Sequence, residues 1–188
     1  MEIKRCPWAK KDIDIEYHDN EWGKAVHDDN KLFEMIILEG MQAGLSWNTI
    51  LNKREDMRLA FDNFNPEIIA KYDIAKKEQL LLNPNIIRNK AKINALVTNA
   101  QAFLRIQEDY GSFDSYIWRF VDDQPIINSW TEISQVPIST EISDAISKDL
   151  YARGFKFVGS IICYSFMQAI GMVNDHMVWC EQYKMNLG

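Results

Sequence analysis

Residues 80 to 93 read Leu80-Leu81-Leu82-Asn83-Pro84-Asn85-Ile86-Ile87-Arg88-Asn89-Lys90-Ala91-Lys92-Ile93. Two apolar helical runs meet here at a sharp break, because Pro84 cannot continue a helix and asparagine tolerates the left-handed region. This is the layout of a helix-hairpin-helix. Such a turn exposes backbone N–H groups at a helix N-terminus, where they and the helix dipole can hold a phosphate. Arg88, Lys90 and Lys92 would add charge-assisted contacts. An ordinary helical corner with solvated Lys and Arg accounts for the same residues.

Working outward, the helical period dominates. After the break, Ile86, Ile93, Leu96, Val97, Ala100, Phe103 and Leu104 predict a helix over 86–110, ended by Gly111. Before it, helices are expected over 73–82 and from Pro66 to about Tyr72, with Asn65 as cap and Pro66 at the first helical position. Asp28 or Asp29 caps a helix through Leu32 to Ile37 that ends at Gly40, and Ser46 caps the next, towards Phe61. Short helices follow over 113–121 and 141–153. The last long one is expected over 160–173. Residues 122–140 read as loop and no period-2 strands are found, so the expected fold is all-α.

The chain has 188 residues, 47% hydrophobic and 26% charged, which suits one domain or two small lobes sharing a cleft. The net charge of −6 argues against indiscriminate binding to a polyanion. That charge is uneven: residues 12–39 carry nine acids against Lys24 and Lys31, and the remainder is slightly basic. The start, MEIKRCPWAKKDIDIEY, has no apolar h-region, and no apolar run approaches the roughly 20 residues of a membrane span. The longest candidate, 155–173, is broken by Lys156, Ser160, Ser165 and Gln168. A cytoplasmic protein is expected, and nothing in the sequence calls for a protein partner.

Residues 17–47, YHDNEWGKAVHDDNKLFEMIILEGMQAGLSW, gather Tyr17, Trp22 and Trp47 around one acid, Glu39, which closes the apolar run Met35-Ile36-Ile37-Leu38. A carboxylate in that position must be hydrogen-bonded, paired, neutralised or turned to water. Two readings stand: a helix-end Glu reaching solvent, or the acid of an aromatic pocket for a planar, electron-poor ligand. His176 and Cys180 have i, i+4 spacing, and Cys6 and His18 form a second pair. Together they would make a Cys₂His₂ set suited to structural zinc, though accident explains the spacing equally well. Cys163 reads as core and His27 as an exposed loop residue.

YHDNEWG, LFEMIILEG, QAGLSW, RGFKFVG and ICYSFMQAIGMVNDH, with Cys6 and Cys180 flanking them, closely resemble the DNA-3-methyladenine glycosylase I family of the helix-hairpin-helix superfamily. The resemblance covers nearly the whole chain. It implies a two-lobed helical fold with the base pocket between the lobes and a central lobe at about residues 65–125. It implies one structural zinc on Cys6, His18, His176 and Cys180. The residues matching the base pocket are Glu39, Tyr17, Trp22 and Trp47, with Trp8 nearby. The implied partner is double-stranded alkylated DNA and the implied reaction is monofunctional release of 3-methyladenine. Gln42, Ala43, Gly44 and Leu45 would fill the gap left by the extruded nucleotide. The alternative is a non-catalytic helix-hairpin-helix binding module, which would leave the aromatic cluster idle. Two departures from the family pattern stand out. Asn85 replaces the usual hairpin glycine and brings a side chain to the phosphate, and Asp14 stands where a second aromatic is common. Glu108 and Asp109, near the superfamily's usual catalytic acid, read as a solvated helix end.

Overall fold

The computed structural model describes residues 3–186. Among them the helices are α1 Asp12–Asn20, α2 Asp29–Gln42, α3 Trp47–Ala60, α4 Pro66–Ile69, α5 Ile74–Leu82, α6 Lys90–Tyr110, α7 Phe113–Trp118, α8 Glu141–Ala152, α9 Ser160–Ala169 and α10 Glu181–Met185. No helix is long and apolar enough to cross a membrane.

The caps follow local chemistry. Asp28, Ser46, Asn65 and Asp73 each accept a backbone N–H from the first turn they precede. Asp29 does something else: its carboxylate accepts from the backbone N–H groups of Phe113 and Asp114 and from Gln107, tying the start of α2 to α7.

Helices α1 and α10 were not expected, α4 and α7 each end about three residues early, and three other boundaries also differ from expectation. The helix after the hairpin starts at Lys90 rather than Ile86, because Asn89 caps it through the Lys92 N–H while Ile86 and Ile87 are buried in the turn. Helix α2 runs through Gly40 to Gln42. Gly40 serves a close approach, since a Cβ there would lie 3.3 Å from Phe157. Helix α9 stops at Ala169, not Val173. Gly171, at φ +73°, brings the backbone so close to Lys24 and Ala25 that a Cβ would sit 2.4 Å from the Lys24 carbonyl carbon. The chain then forms β2 (Val173–Asn174), parallel to β1 (Ile126–Ile127). The fold is thus helical with one two-residue ladder, a small correction to all-α.

Helix α2 is the centre, buried from Leu32 to Met41 and packed against α3, α6, α7 and α9. Full burial on all sides includes two acids, and they are handled oppositely. Glu34 is paired: Arg54 Nε reaches it at 2.8 Å and Arg58 at 2.7 Å, while the other end of Arg54 grips Glu21 in a bidentate pair at 2.8 Å. Those contacts hold the Glu34 carboxyl below its ordinary range despite burial. Much of the acidic run is absorbed in this way. Replacing Arg54 with Met leaves Glu34 buried with only peripheral cations. Stability is expected to fall by about 3 kcal/mol, and a urea-unfolding midpoint unchanged from wild type would contradict this account of α2–α3 packing.

Candidate active site

Glu39 is the second buried acid, 4% exposed, and no side chain among the described residues hydrogen-bonds to it. Burial alone pushes its pKa up to about 8, so near neutrality it holds its proton. It faces a cavity of about 270 Å³, below the roughly 300–1,000 Å³ of drug-sized pockets and suited to one small flat heterocycle.

The residues expected to gather there do so. Trp8, Tyr17, Trp22 and Trp47 line the cavity with Glu39. Tyr17 and Trp47 sit with ring centroids 5.2 Å apart, and Trp8 packs edge-on against Trp22 at 5.1 Å. Tyr17 Oη and Trp47 Nε1 are buried with no hydrogen-bond partner among the described residues. Burial, and then the nearby Glu39, push the Tyr17 phenol well above its usual pKa, so it is a neutral donor. The arrangement offers aromatic faces, two free donors and one acid. Such a set can stack on a planar ring and hydrogen-bond its edge, and aromatic faces suit a cationic ring.

Gln42 lines the same cavity. Beyond it the chain turns at Gly44, at φ +77°, and exposes Leu45. Asp14, where a further aromatic was of interest, is not in the wall. Its carboxylate accepts from Asn48 at 3.1 Å and joins α1 to α3.

Sequence reasoning missed part of the wall. Ser165 and Gln168, three residues apart on one face of α9, line the cavity, as does Asp175. A signal existed, since Ser165 and Gln168 interrupt the most apolar stretch of the chain. Ile133 and Val136, from the segment read as loop, complete the rim.

Around the hairpin, Asn85, Arg88 and Lys90 are exposed. Lys92 is corrected: it is 6% exposed, and its ammonium donates to the carbonyls of Met41 at 2.8 Å and Ala43 at 2.6 Å. The open end of α2 supplies carbonyls that lack helical partners, so this cation points inward and is taken. Lys53 of α3, not singled out in the sequence, donates to the carbonyls of Pro84 and Asn85 and braces the turn. Glu108 and Asp109 are exposed at the end of α6, far along the helix from the hairpin.

Cys6, His18 and Cys180 are buried together with their donor atoms all within 4.8 Å of one another, a cluster that could hold a metal ion. His18 Nδ1 lies 2.7 Å from Asp19, itself clamped by Arg5, which directs Nε2 towards Cys180 Sγ at 3.5 Å. The closeness of Cys6 and then of His18 holds the Cys180 thiol below its ordinary value, while Cys180 and burial push the Cys6 thiol up. His176 stands beside this trio, its ring centroid 5.0 Å from that of His18. It lies in irregular chain between β2 and α10 rather than sharing a helix face with Cys180. Its Nδ1 pairs with Asn174 at 3.0 Å, and its buried Nε2 has no partner. Cys163 is core and His27 is exposed beside Asp114, as expected.

The pocket is sized for one flat base, and the helical frame carries a tight turn between α5 and α6. The methyladenine glycosylase family model matches residues 8–183, and the chain belongs to that family. It is 49% identical to "DNA-3-methyladenine glycosylase 1" of Escherichia coli over 98% of this chain and 99% of the relative. A crystal structure of 3-methyladenine DNA glycosylase I superposes with TM-score 0.93 at 50% identity, covering 95% of this chain and 98% of that one. A variant of such a glycosylase in complex with 3-methyladenine also gives 0.93, at 34% identity, covering 95% and 97%.

Proposed function

We propose that this chain excises 3-methyladenine from alkylated double-stranded DNA, hydrolysing the N-glycosidic bond of a flipped nucleotide and leaving an abasic site. The observation that carries this reading is Glu39: an unpaired, buried acid in a one-base aromatic pocket, in a family whose members are named for this base. Adenine methylated at N3 is cationic in the nucleoside and already a good leaving group, so extraction, recognition and access of water are what remain to be supplied. The aromatic walls stack on the cation, and the charge of that ring favours the ionised form of Glu39, which then complements it. Unmethylated adenine lacks the charge and keeps a strong glycosidic bond, so selection extends into the chemical step. With Lys92 engaged by carbonyls and Lys90 at the surface, a lyase step has no amine supporting it, and the reaction is monofunctional.

The molecule works as a single domain with two helical lobes. Gln42, Ala43, Gly44 and Leu45 fill the gap in the duplex, with Lys92 holding the backbone of that segment from behind. Asn85, Arg88 and Lys90 meet the phosphates at the hairpin. One zinc, held by Cys6, His18 and Cys180 with His176 Nε2 as fourth donor, clips the two ends of the chain together. In a tetrahedral site such donors lie roughly 3.3–3.8 Å apart, so the observed trio fits after a small closure. With four protein ligands the metal has no open position and supplies structure only. Three free thiols and a DNA substrate support the reading of a cytoplasmic protein. The deciding experiment incubates methylated duplex DNA with the protein and measures free 3-methyladenine. Release above the uncatalysed rate, with no strand cleavage before alkali, is expected. No release would sink the reading.

A further inference from the structure

The pocket wall contributed by α9 contains a polar device that the aromatic cluster does not explain. Asp175, 1% exposed, accepts four hydrogen bonds: from Asn128 Nδ2 and Trp130 Nε1 at 2.7 Å on one oxygen, and from Tyr164 Oη at 2.7 Å and Gln168 Nε2 at 2.8 Å on the other. Four partners fill a carboxylate. With its oxygens met by donors on every side, Asp175 serves as acceptor only, so the Gln168 amide turns its NH₂ towards it. Its Oε1 is then the end left over, and it has no partner among the described residues. The backbone beneath is fixed too, because the Gln168 carbonyl accepts from the N–H groups of Gly23 and Gly171.

We infer that Gln168, oriented by Asp175, is a specificity-determining acceptor that reads the exocyclic amino group of adenine and rejects guanine. Like the proposed function, it rests on this cavity being the base site. Adenine presents an N–H₂ donor where guanine presents the O6 acceptor. The only N–H donors on 3-methyladenine are the two hydrogens of that amino group; of the cavity-lining acceptors without a side-chain partner among the described residues, which include Glu39, Gln42 and Ser165, Gln168 Oε1 is the one whose presentation a neighbouring carboxylate fixes. A methylated guanine carries the same cationic ring and suits the aromatic walls equally well, but it sets O6 against this acceptor. A buried acceptor facing an acceptor loses the bond and keeps the desolvation cost, and sites built to bond a substrate N–H discriminate strongly against analogues lacking it. Gln168 touches the base; Asp175 acts through it and is a positioning residue.

The test compares release of 3-methyladenine and 3-methylguanine from the same alkylated duplex by wild type, Gln168→Met and Asp175→Asn. The wild type is expected to prefer 3-methyladenine, and Gln168→Met to reduce the ratio of the two kcat/KM values at least 10-fold. Asp175→Asn, which can donate and so lets the Gln168 amide flip, is expected to lower the ratio in the same direction. General loosening of the wall would slow both bases and leave the ratio unchanged. A wild-type ratio retained in Gln168→Met overturns the inference while leaving the glycosylase reading intact; no release of 3-methyladenine by wild type removes the latter instead. Should neither variant fold, competition by free 3-methyladenine and free 3-methylpurine, which lacks the amino group, serves on the wild type. Equal inhibition by the two bases overturns the assignment, and at least 10-fold weaker inhibition by 3-methylpurine supports it.

Discussion

Glu39→Gln is expected to become a poorer enzyme and a more stable protein at the same time. The folded chain keeps the Glu39 proton up to about pH 8, whereas an ordinary glutamate loses it near 4.5. The stability associated with the protonated form is complete below pH 4.5 and is lost as pH rises from 4.5 to 8. Each unit in that window costs about 1.4 kcal/mol, so at pH 7 the wild type has given up about 3 kcal/mol. Glutamine has nearly the same shape and never ionises, so the variant avoids the loss. Urea unfolding should show the two proteins alike at pH 4.5 and diverging above it, the variant being the more stable. Excision should fall on the order of 100-fold, the scale for removing one group that meets charge in the transition state. The kcat/KM of the wild type should rise with pH to a plateau above about 8, and that of the variant should be flat. Profiles that stay parallel in both measurements would remove Glu39 from the chemistry and from the buried-acid account.

Cys180→Ser carries the second large effect. Cys6 lies in the segment before α1 and Cys180 just before α10, so a metal shared between them closes nearly the whole chain into one loop. Metal analysis of the wild type should find close to one zinc per chain, and the variant far less. Metal affinity adds to folding free energy, and here the domain has its own core. The expected loss is therefore several kcal/mol, well short of the roughly 10–16 kcal/mol seen for zinc-finger peptides. Chelation of the wild type should reproduce the same drop in melting temperature. Metal-free wild type of full stability would refute the clip. Tyr17 adjoins His18, and Trp22 packs 4.6 Å from the His176 ring, so excision should weaken together with the clip.

Elements governed by neighbours in sequence were legible in advance. The caps at Ser46 and Asn65, the break at Pro84 and the buried run before Glu39 depend on dihedral preferences and on the 3.6-residue period, which act over one or two turns. The aromatic residues of the pocket and the Cys and His set were candidates from position and spacing, and the resemblance of whole blocks chose between the readings that spacing left open. Spacing alone had left Glu39 open between solvent and pocket.

Tertiary structure decided the rest. Lys92 and Lys90 look alike in sequence, yet one is taken by the carbonyls of Met41 and Ala43 and the other faces solvent. Glu34 and Glu39 lie five residues apart on the same buried helix. One is met by arginines from α3 and remains ionised; the other is met by no cation and holds its proton. The orientation of Gln168 depends on Asp175, and the end of α9 on a backbone contact with Lys24. In each case the outcome depends on whether a buried polar group finds a partner, and the partner comes from a remote part of the chain. Desolvation makes that difference worth several kcal/mol, and no local pattern encodes it. By itself, the sequence determined the helices, their order and the kinds of side chain at the site; packing determined which of those side chains were left free to act.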